Sequence, residues 1–354
     1  MLDITQAVNV VKGCIDNNSI IKAYSYILID NNRITAYNGE QAMTARVTGL
    51  DNISCSLPGD LTIKIINSLD AKNATIEQNA EQNHLMIKSN KTKIKLATIP
   101  KDDFVFNDSF HKIAGGTNTK LTADIFEAFD KVKDTIESRE AIVSKHGVFI
   151  FPDEKGGSTF YSTDSNQISR FKVPKTLLFN KKVQIPTTFC KLLLANKDSL
   201  LDGTLMITDK FIVAKSKGLS LFSHVTSDQE FLDFEVVIAG YQKKDSFKVP
   251  VVPEMSDAID RCLIIQAISE NKPIDITVGK STVTFSSKSI YGVMNIPVKI
   301  PAPSPESIEI QVSGIFLKSL VAGTSTLVLS KSANVLIGTD KNLFRITSCM
   351  RSEE

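Results

Sequence analysis

The sequence lacks several features on which whole classes of protein depend. Tryptophan is absent, the five cysteines contain no CxxC pair, and none of the four histidines stands at metal-ligand spacing from another histidine or a cysteine. A zinc site therefore has no support, and we expect neither a metal nor a cofactor. No stretch approaches about 18 apolar residues, which argues against a transmembrane helix. The N-terminus also lacks the basic start and apolar run of a secretory signal, so we expect a cytoplasmic protein.

The chain has almost no excess of positive or negative charge. The formal net charge is +2 over 354 residues. Domains that bind nucleic acid tightly through electrostatics are usually strongly basic. Either this protein does not bind nucleic acid, or its binding does not depend on affinity per contact.

Patterns that would indicate an enzyme are also scarce. Gly115-Gly116 and Gly156-Gly157 lack the flanking strand, helix and lysine of a phosphate-binding loop. Cys14, Cys190 and Cys262 fall on apolar faces or in the interior of predicted helices, which favours packed thiols over nucleophiles. No reaction class emerges, so we expect a non-catalytic protein, and an enzyme on an unrelated α+β fold is the least favoured alternative.

What the chain does contain is one pattern that recurs three times. Helices with one apolar face are predicted to open near residues 4, 122 and 254, and each is followed by strands, a second helix and more strands. The second helices are predicted within residues 58–69, 185–196 and 312–323. Asn31-Asn32 and the segment 152–157 are predicted hairpin turns.

This recurrence predicts an α+β protein of three repeated modules, each with two helices packed on antiparallel sheet. The predicted modules are residues 1–118, 119–246 and 247–354. At this coarseness any α+β protein can look periodic, and that alternative stays open on the pattern alone.

Four local segments resemble the bacterial sliding clamps, the DNA polymerase III beta subunit family. The most specific is Phe160–Ile168, which contains the threonine and aspartate of the family's Ala-Thr-Asp-Gly-His-Arg-Leu segment as Thr163 and Asp164. The other three, in the family's order, are Phe231–Ile238, Pro100–Phe104 and Met350-Arg351. Together they span the whole chain on a threefold pattern of the right length.

The resemblance implies a DNA polymerase processivity factor whose clamp modules assemble into a ring. Members of the family form a head-to-tail homodimer with helices around the hole and sheets outside. They encircle double-stranded DNA without reading its sequence, and bind DNA polymerase and the clamp loader through a short apolar peptide. The alternative is a clamp-fold interaction protein that binds replication partners without encircling DNA.

A closed ring is compatible with a net charge of +2, because a ring is retained topologically and strong phosphate contacts would oppose sliding. A few cations on the predicted helices and in one loop would suffice to centre the duplex. The candidates are Lys64, Lys131, Arg139, Lys145, Lys191, Arg261 and Lys318. Each could equally be a solvated surface cation, and the helix at 122–137 also carries Asp124, Glu127, Asp130 and Asp134.

The resemblance also implies an apolar pocket for the partner peptide. Carried over by position, its wall comprises Thr163, Ile168, Ala239, Lys243, Ile346 and Met350. Ala239 and Lys243 replace a proline and an arginine of the family, and Ser348-Cys349 replaces a methionine-proline pair. These departures indicate a divergent clamp, and a phage origin is one hypothesis that explains them. The alternative for Ile168 and Ile346 is a role in the core of the strands.

Ring closure requires complementary strand edges, which we expect near residues 85–98 and 282–298. An unpaired edge is otherwise an aggregation hazard. The lysines Lys88, Lys91, Lys93 and Lys95 would either pair with an acidic partner edge or protect a free one.

Overall fold

The computed structural model describes residues 2–69, 74–79, 83–106, 116–135, 147–225, 231–241, 245–266, 273–290, 292–301, 304, 306–330, 332 and 334–349. The chain divides into two compact units, residues 1–126 with 178–228, and residues 127–177 with 229–354. Its described helices are α1 (Ile4–Val11), α2 (Gly59–Ser68), α3 (Ala123–Val132), α4 (Thr187–Ala195), α5 (Lys197–Leu200), α6 (Phe234–Tyr241), α7 (Pro253–Gln266) and α8 (Gly314–Val321). None of them combines the length and the apolar character that crossing a membrane requires.

The described strands fall into runs between these helices. Those up to residue 120 are β1 (Tyr26–Asp30), β2 (Arg33–Tyr37), β3 (Gln41–Arg46), β4 (Ser54–Pro58), β5 (Ala74–Asn79), β6 (His84–Ser89), β7 (Thr92–Ala97) and β8 (Thr117–Lys120). Next come β9 (Val148–Pro152), β10 (Ser158–Thr163), β11 (Gln167–Val173), β12 (Val183–Ile185), β13 (Thr204–Ile207), β14 (Phe211–Lys215), β15 (Leu219–His224) and β16 (Ser246–Pro250). The last are β17 (Ile274–Val278), β18 (Thr282–Ser289), β19 (Gly292–Lys299), β20 (Ile308–Val312), β21 (Thr326–Ser330), β22 (Val335–Thr339) and β23 (Leu343–Ser348).

The predicted α+β pattern of three helix pairs and antiparallel strands is confirmed. α1, α3 and α7 open the three repeats, and α2, α4 and α8 lie within the predicted second-helix segments. Local chemistry starts the first of them: the Asp3 carboxylate accepts a hydrogen bond from the Gln6 N–H (2.8 Å), and the Gln6 side chain accepts one from the Asp3 N–H (3.2 Å). The exact module boundaries stay a prediction.

The first unit contains a sheet with the strand order β4-β1-β2-β3-β15-β14-β13-β8. β1 and β2 are joined at Asn31 and Asn32, whose φ angles of 47° and 64° are those of a two-residue hairpin turn. β3 pairs antiparallel with β15, so strands from two predicted modules form one continuous sheet. A separate sheet, β5-β6-β7, belongs to the same unit.

The second unit repeats this arrangement. Its strands β9, β10, β11, β23, β22, β21 and β16 follow one another in a sheet, and β11 pairs antiparallel with β23. A separate sheet has the order β19-β18-β17-β20. Within the described residues, β7 and β19 therefore each lie at the edge of a sheet. This agrees with the edges expected near residues 85–98 and 282–298.

The core of the third repeat shows why the helices need their apolar faces. Met255, Ile259 and Cys262 of α7 are fully buried, as is Leu317 of α8. They pack in one cluster with strand residues such as Phe285. Burial of a large apolar side chain stabilises the fold by about 1.5–3 kcal/mol, so this face holds both helices on the strands.

α6 differs from the sequence interpretation, which treated residues 231–238 only as a closing segment. The segment FLDFEVVIAG is apolar at most positions and shows no clear helical period. Phe234 and Ile238, one turn apart, are buried in a cluster with strand side chains. The sequence period did not indicate this helix, and the packing of these two residues against the sheet stabilises it.

Candidate functional site

A lysine recurs at the same place on the second helix of each repeat. Buried residues align these helices: Ile63 and Ile66 in α2, Cys190 and Leu193 in α4, and Leu317 and Leu320 in α8. The residue that follows the first of each pair is exposed and is, in turn, Lys64, Lys191 and Lys318. Three of the cations proposed from the sequence thus occupy one equivalent position.

The first helices carry a second, partial repeat. Lys131 precedes the buried Val132 of α3, and Arg261 precedes the buried Cys262 of α7. The equivalent residue of α1 is Val10, so only two of the three first helices have a cation there. Arg261 is exposed and Lys131 is half-buried. Arg139 and Lys145 lie outside the described residues.

Carboxylates neutralise part of this positive charge. Lys64 pairs with Asp60 at 2.7 Å, and Lys318 pairs with Asp260 at 2.6 Å. Every side chain of the two pairs is at least 40% exposed, so each pair contributes little to stability and each lysine can exchange its partner at low cost. The outer face of α3 is acidic, as the sequence indicated, because its carboxylates are exposed: Asp124, Glu127, Asp130 and Asp134.

The first residue proposed for the peptide pocket, Thr163, ends β10 and holds the turn that follows it. Its hydroxyl donates to the carbonyl of Gln167 (2.7 Å) and accepts from the N–H of Ser165 (3.1 Å). The Asp164 carboxylate accepts from the N–H groups of Asn166 (2.9 Å) and Gln167 (2.7 Å). The matched threonine and aspartate therefore build the hairpin between β10 and β11.

Ile168 and Ile346 lie opposite each other where β11 pairs with β23. Their exposed fractions are 8% and 3%, and both pack in the cluster that α6 covers. This geometry favours their alternative role in the core of the strands, although Ile168 keeps a small accessible surface. Lys243 and Met350 lie outside the described residues.

A polar and aromatic network locks α6 onto this sheet. The Arg170 guanidinium donates to both carboxylate oxygens of Glu235 (3.0 and 2.9 Å), and the Tyr161 hydroxyl donates to one of them (2.6 Å). The Tyr161 ring stacks on Phe234 with centroids 4.7 Å apart, and Arg170 lies over the Phe344 ring. Burial opposes ionisation of Glu235, but the Tyr161 hydrogen bond and the Arg170 charge outweigh it and lower its pKa. Burial, with the same hydrogen bond, raises the pKa of Tyr161.

The outer side of α6 is apolar and accessible. Val236 is 67% exposed, Leu232 just before the helix is 47% exposed, and Ala239 is exposed on the same helix. Of these, only Ala239 was proposed from the sequence. Leu232 and Val236 were missed because their exposure follows from which side of α6 contacts the sheet, and that depends on tertiary packing.

The cysteines occupy positions unsuited to nucleophilic chemistry. Cys14, Cys190 and Cys262 are fully buried, as their places on apolar helix faces predicted. Burial raises the pKa of Cys14 to about 12, so its thiol stays protonated at neutral pH. Among the described residues, no three His, Cys, Asp or Glu side chains gather as a metal ion would require.

This architecture, in which helix pairs repeat along the chain and sheets are shared between predicted modules, is the clamp fold. Neither a protein-family model nor a curated protein sequence matches the chain. Solved structures of DNA polymerase III beta subunits do match it over nearly its whole length, which confirms the resemblance noted in the sequence at the level of fold.

Three of these structures illustrate the match. A protein from Eubacterium rectale assigned to the DNA polymerase III beta subunits has a TM-score of 0.84 at 17% identity, over 98% of this chain and 96% of its own. The beta subunit from DNA polymerase of Streptococcus pyogenes has a TM-score of 0.84 at 16% identity, over 98% and 97%. The Helicobacter pylori beta clamp bound to a DNA ligase peptide has a TM-score of 0.82 at 16% identity, over 98% of each chain.

Proposed function

We propose that this protein is a sliding clamp, a non-catalytic DNA polymerase processivity factor that encircles duplex DNA as a head-to-tail homodimer. The observation that carries the proposal is the pair of sheet edges left over after the two internal junctions form. The first unit joins two modules through β3 and β15, and the second joins two through β11 and β23. Among the described strands, β7 and β19 are the edges that correspond to the junction strands, one from each terminal module, while β5 and β20 are the opposite edges of the same two sheets.

Strand order supports a third junction between β19 of one copy and β7 of another. The order β20-β17-β18-β19 repeats the order β4-β1-β2-β3, so β19 is equivalent to β3. β7 ends the hairpin with β6 as β15 ends the hairpin with β14, so β7 is equivalent to β15. Two such junctions, related by twofold symmetry, would close a ring of six modules.

The internal junctions also define the register expected for the third. Each internal junction has five paired residues per strand. On each strand, the central one of the five is the fourth residue past the midpoint of the hairpin to which that strand belongs. The central pairs are Met43 with Leu221 and Ser169 with Arg345. Counted in the same way along the hairpins of β18–β19 and β6–β7, the third central pair is Met294 with Ile94 of the second copy.

Exposed apolar residues near the β19 edge support burial by a second copy. Ile264 of α7 is 64% exposed, Ile290 in the β18–β19 hairpin is 81% exposed and Val293 of β19 is 60% exposed. Large apolar side chains with this degree of exposure are candidates for burial at an interface. β19 contains no acidic residue, so the lysines of β7 would protect the free edge of the monomer rather than pair with carboxylates of β19.

The double variant Ile94→Cys/Met294→Cys tests the ring. We expect oxidation to give a covalent dimer with two disulfides, because directly paired residues of antiparallel strands lie within the Cα distance that a disulfide spans. Native mass measurement and non-reducing electrophoresis detect the product. On nicked circular DNA, the oxidised ring should be retained at high salt and released when the circle is cut.

The variants Ile94→Cys/Ile290→Cys and Ile94→Cys/Lys299→Cys are matched controls for register. They place the second cysteine at or beyond the end of the expected pairing, so they should cross-link poorly. A strictly monomeric chain with no cross-link and no retention would overturn the ring and favour the alternative, a clamp-fold interaction protein. The acidic outer face of α3 is the observation that favours that alternative.

The three equivalent lysines suggest how a nearly neutral ring would hold DNA. In a ring of six modules, Lys64, Lys191 and Lys318 would place six cations around the hole, supplemented by Lys131 and Arg261. Such contacts would position the duplex without reading its sequence. Topology rather than phosphate affinity would retain it.

The surface beside α6 is the proposed site for the partner peptide of DNA polymerase or the clamp loader. The Helicobacter pylori clamp of the same fold was solved with a DNA ligase peptide. Here Leu232, Val236 and Ala239 would form the accessible apolar wall, with Thr163 and Ile168 at its base. A short apolar peptide fits such a surface because it needs apolar contact and few polar anchors.

Val236→Glu should weaken peptide binding by about tenfold or more, because the new carboxylate would have to lose water against an apolar side chain. Fluorescence polarisation with short apolar peptides, including the DNA ligase peptide bound in the Helicobacter pylori clamp structure, measures the effect. Ile315→Glu is the matched control, since Ile315 of α8 is also 67% exposed. Equal losses in both variants would contradict a site at α6.

A further inference from the structure

Each internal junction is closed at both ends by a backbone hydrogen bond beyond the five paired residues. The four bonds have the same form, and they run from the N–H of Arg46 to the carbonyl of Gly218 (2.8 Å), from His224 to Glu40 (3.4 Å), from Lys172 to Asn342 (3.0 Å) and from Ser348 to Asn166 (2.8 Å). Every donor is the seventh residue past the midpoint of its hairpin, and every acceptor is the first. These bonds are therefore a regular feature of a module junction in this chain.

Of the two edges left for the third junction, only one has the backbone donor that this pattern requires. Ala97, the seventh residue past the β6–β7 midpoint, has an N–H to donate. Pro297 is the seventh residue past the β18–β19 midpoint, and proline has no N–H. The carbonyl of Lys91, in the acceptor position opposite Pro297, would have no backbone donor there.

The orientation of Pro297 follows from the same register. Pro297 lies opposite Thr284 on β18, as Arg46 lies opposite Arg33 on β2 and Lys172 opposite Thr159 on β10. Because the N–H groups of Arg46 and Lys172 point toward their junctions, the nitrogen of Pro297 points toward the free edge. Proline is tolerated at such an edge position because no ladder hydrogen bond to β18 is lost.

We propose that Pro297 makes the joint between two copies weaker than the internal junctions, so that the ring opens from the Pro297 end. The inference rests on the proposed ring and concerns how that ring is opened. The five residue pairs centred on Met294 and Ile94 remain available, because Pro297 lies just outside them. The proline therefore permits assembly but leaves one end of each joint unfastened.

Pro297→Ala tests the proposal by restoring the missing donor. One backbone hydrogen bond should tighten each joint about fivefold, and hence lower the Kd of a dimer with two joints about 25-fold. Sedimentation or native mass measurement over a dilution series gives the Kd. Hydrogen exchange adds a specific readout, since the new backbone amide at position 297 should be protected in the dimer and exchange freely in the monomer.

Pro250→Ala is the control, because Pro250 also lies on an edge strand of the same module but away from the expected joint. It should leave the Kd unchanged. An unprotected amide at position 297, or an unchanged Kd in Pro297→Ala, would overturn the proposal that Pro297 weakens the joint. A cross-linked Ile94→Cys/Met294→Cys dimer would still support the ring in that case. A chain that neither dimerises nor cross-links would overturn the ring and this inference with it.

Discussion

Replacing Arg345 with methionine is expected to lower the free energy of unfolding of the second unit by about 3–5 kcal/mol. Arg345 on β23 is 3% exposed. Its guanidinium donates to the carbonyls of Lys131 (2.6 Å), Ala322 (3.1 Å) and Ser319, and lies 3.6 Å from the Asp134 carboxylate. One side chain thus joins the last turn of α3, the end of α8 and the central strand pair of the junction.

The physical reason for so large an effect is the set of groups left behind. Carbonyls at helix ends generally lack an intrahelical partner, so removing the guanidinium would take a donor from the carbonyls of Lys131, Ser319 and Ala322. Methionine has a flexible, unbranched side chain that replaces the apolar stem of the arginine but not its guanidinium, so the substitution keeps the packing of the stem while it removes the polar contacts.

Urea unfolding followed by hydrogen exchange of peptides from the second unit measures this change. Arg46→Met is the matched control, an arginine on the junction strand β3 whose side chain is exposed, and its effect should stay within about 0.5 kcal/mol. A loss at Arg345 no greater than that at Arg46 would show that the capped carbonyls find water or other partners.

The triple variant Lys64→Glu/Lys191→Glu/Lys318→Glu is expected to bind linear duplex DNA at least about tenfold more weakly at low salt. Each lost phosphate contact removes about 0.9 from the slope of log K against log salt, so the slope should flatten by up to about three per chain. Titration of fluorescent DNA at several salt concentrations measures both quantities. A ring that carries the same three substitutions, and that is closed by disulfides after loading, should still be retained on circular DNA.

The control is the triple variant Lys155→Glu/Lys215→Glu/Lys248→Glu, which changes the net charge by the same amount. These three lysines are exposed and lie outside the helices. If this control loses DNA binding and the helix variant does not, the DNA-facing surface lies on the sheets. Loss of retention in the closed helix variant would instead show that phosphate affinity, not topology, holds the ring.

The helices could be predicted because their signal is local. Apolar residues such as Val8 and Val11 repeat with the helical period, and the same holds for Ile63 and Ile66. α6 escaped prediction because it is apolar on most sides, and only packing of Phe234 against the sheet selects its buried face.

The candidate site was predicted in part for the same reason. Lys64, Lys191 and Lys318 could be placed on exposed helix positions from periodicity, and the structure adds that the three positions are equivalent. Ile168 and Ile346 were proposed for a pocket wall because of their positions relative to the family's sequence. Such a resemblance carries no information on whether a side chain is buried. Their pairing across β11 and β23 puts both in the core.

By itself the sequence determined an α+β class, three repeats, packed thiols and the cations on the second helices, because these depend on residues close together in the chain. Only the tertiary structure decided which strands remain at an edge, that Arg345 joins two helix ends, and that the nitrogen of Pro297 faces the free edge of β19. Those properties depend on pairings between strands far apart in sequence, such as β3 with β15 and β11 with β23. The stability of such pairings depends on packing between residues that are far apart in the sequence, so a local sequence pattern does not predict them.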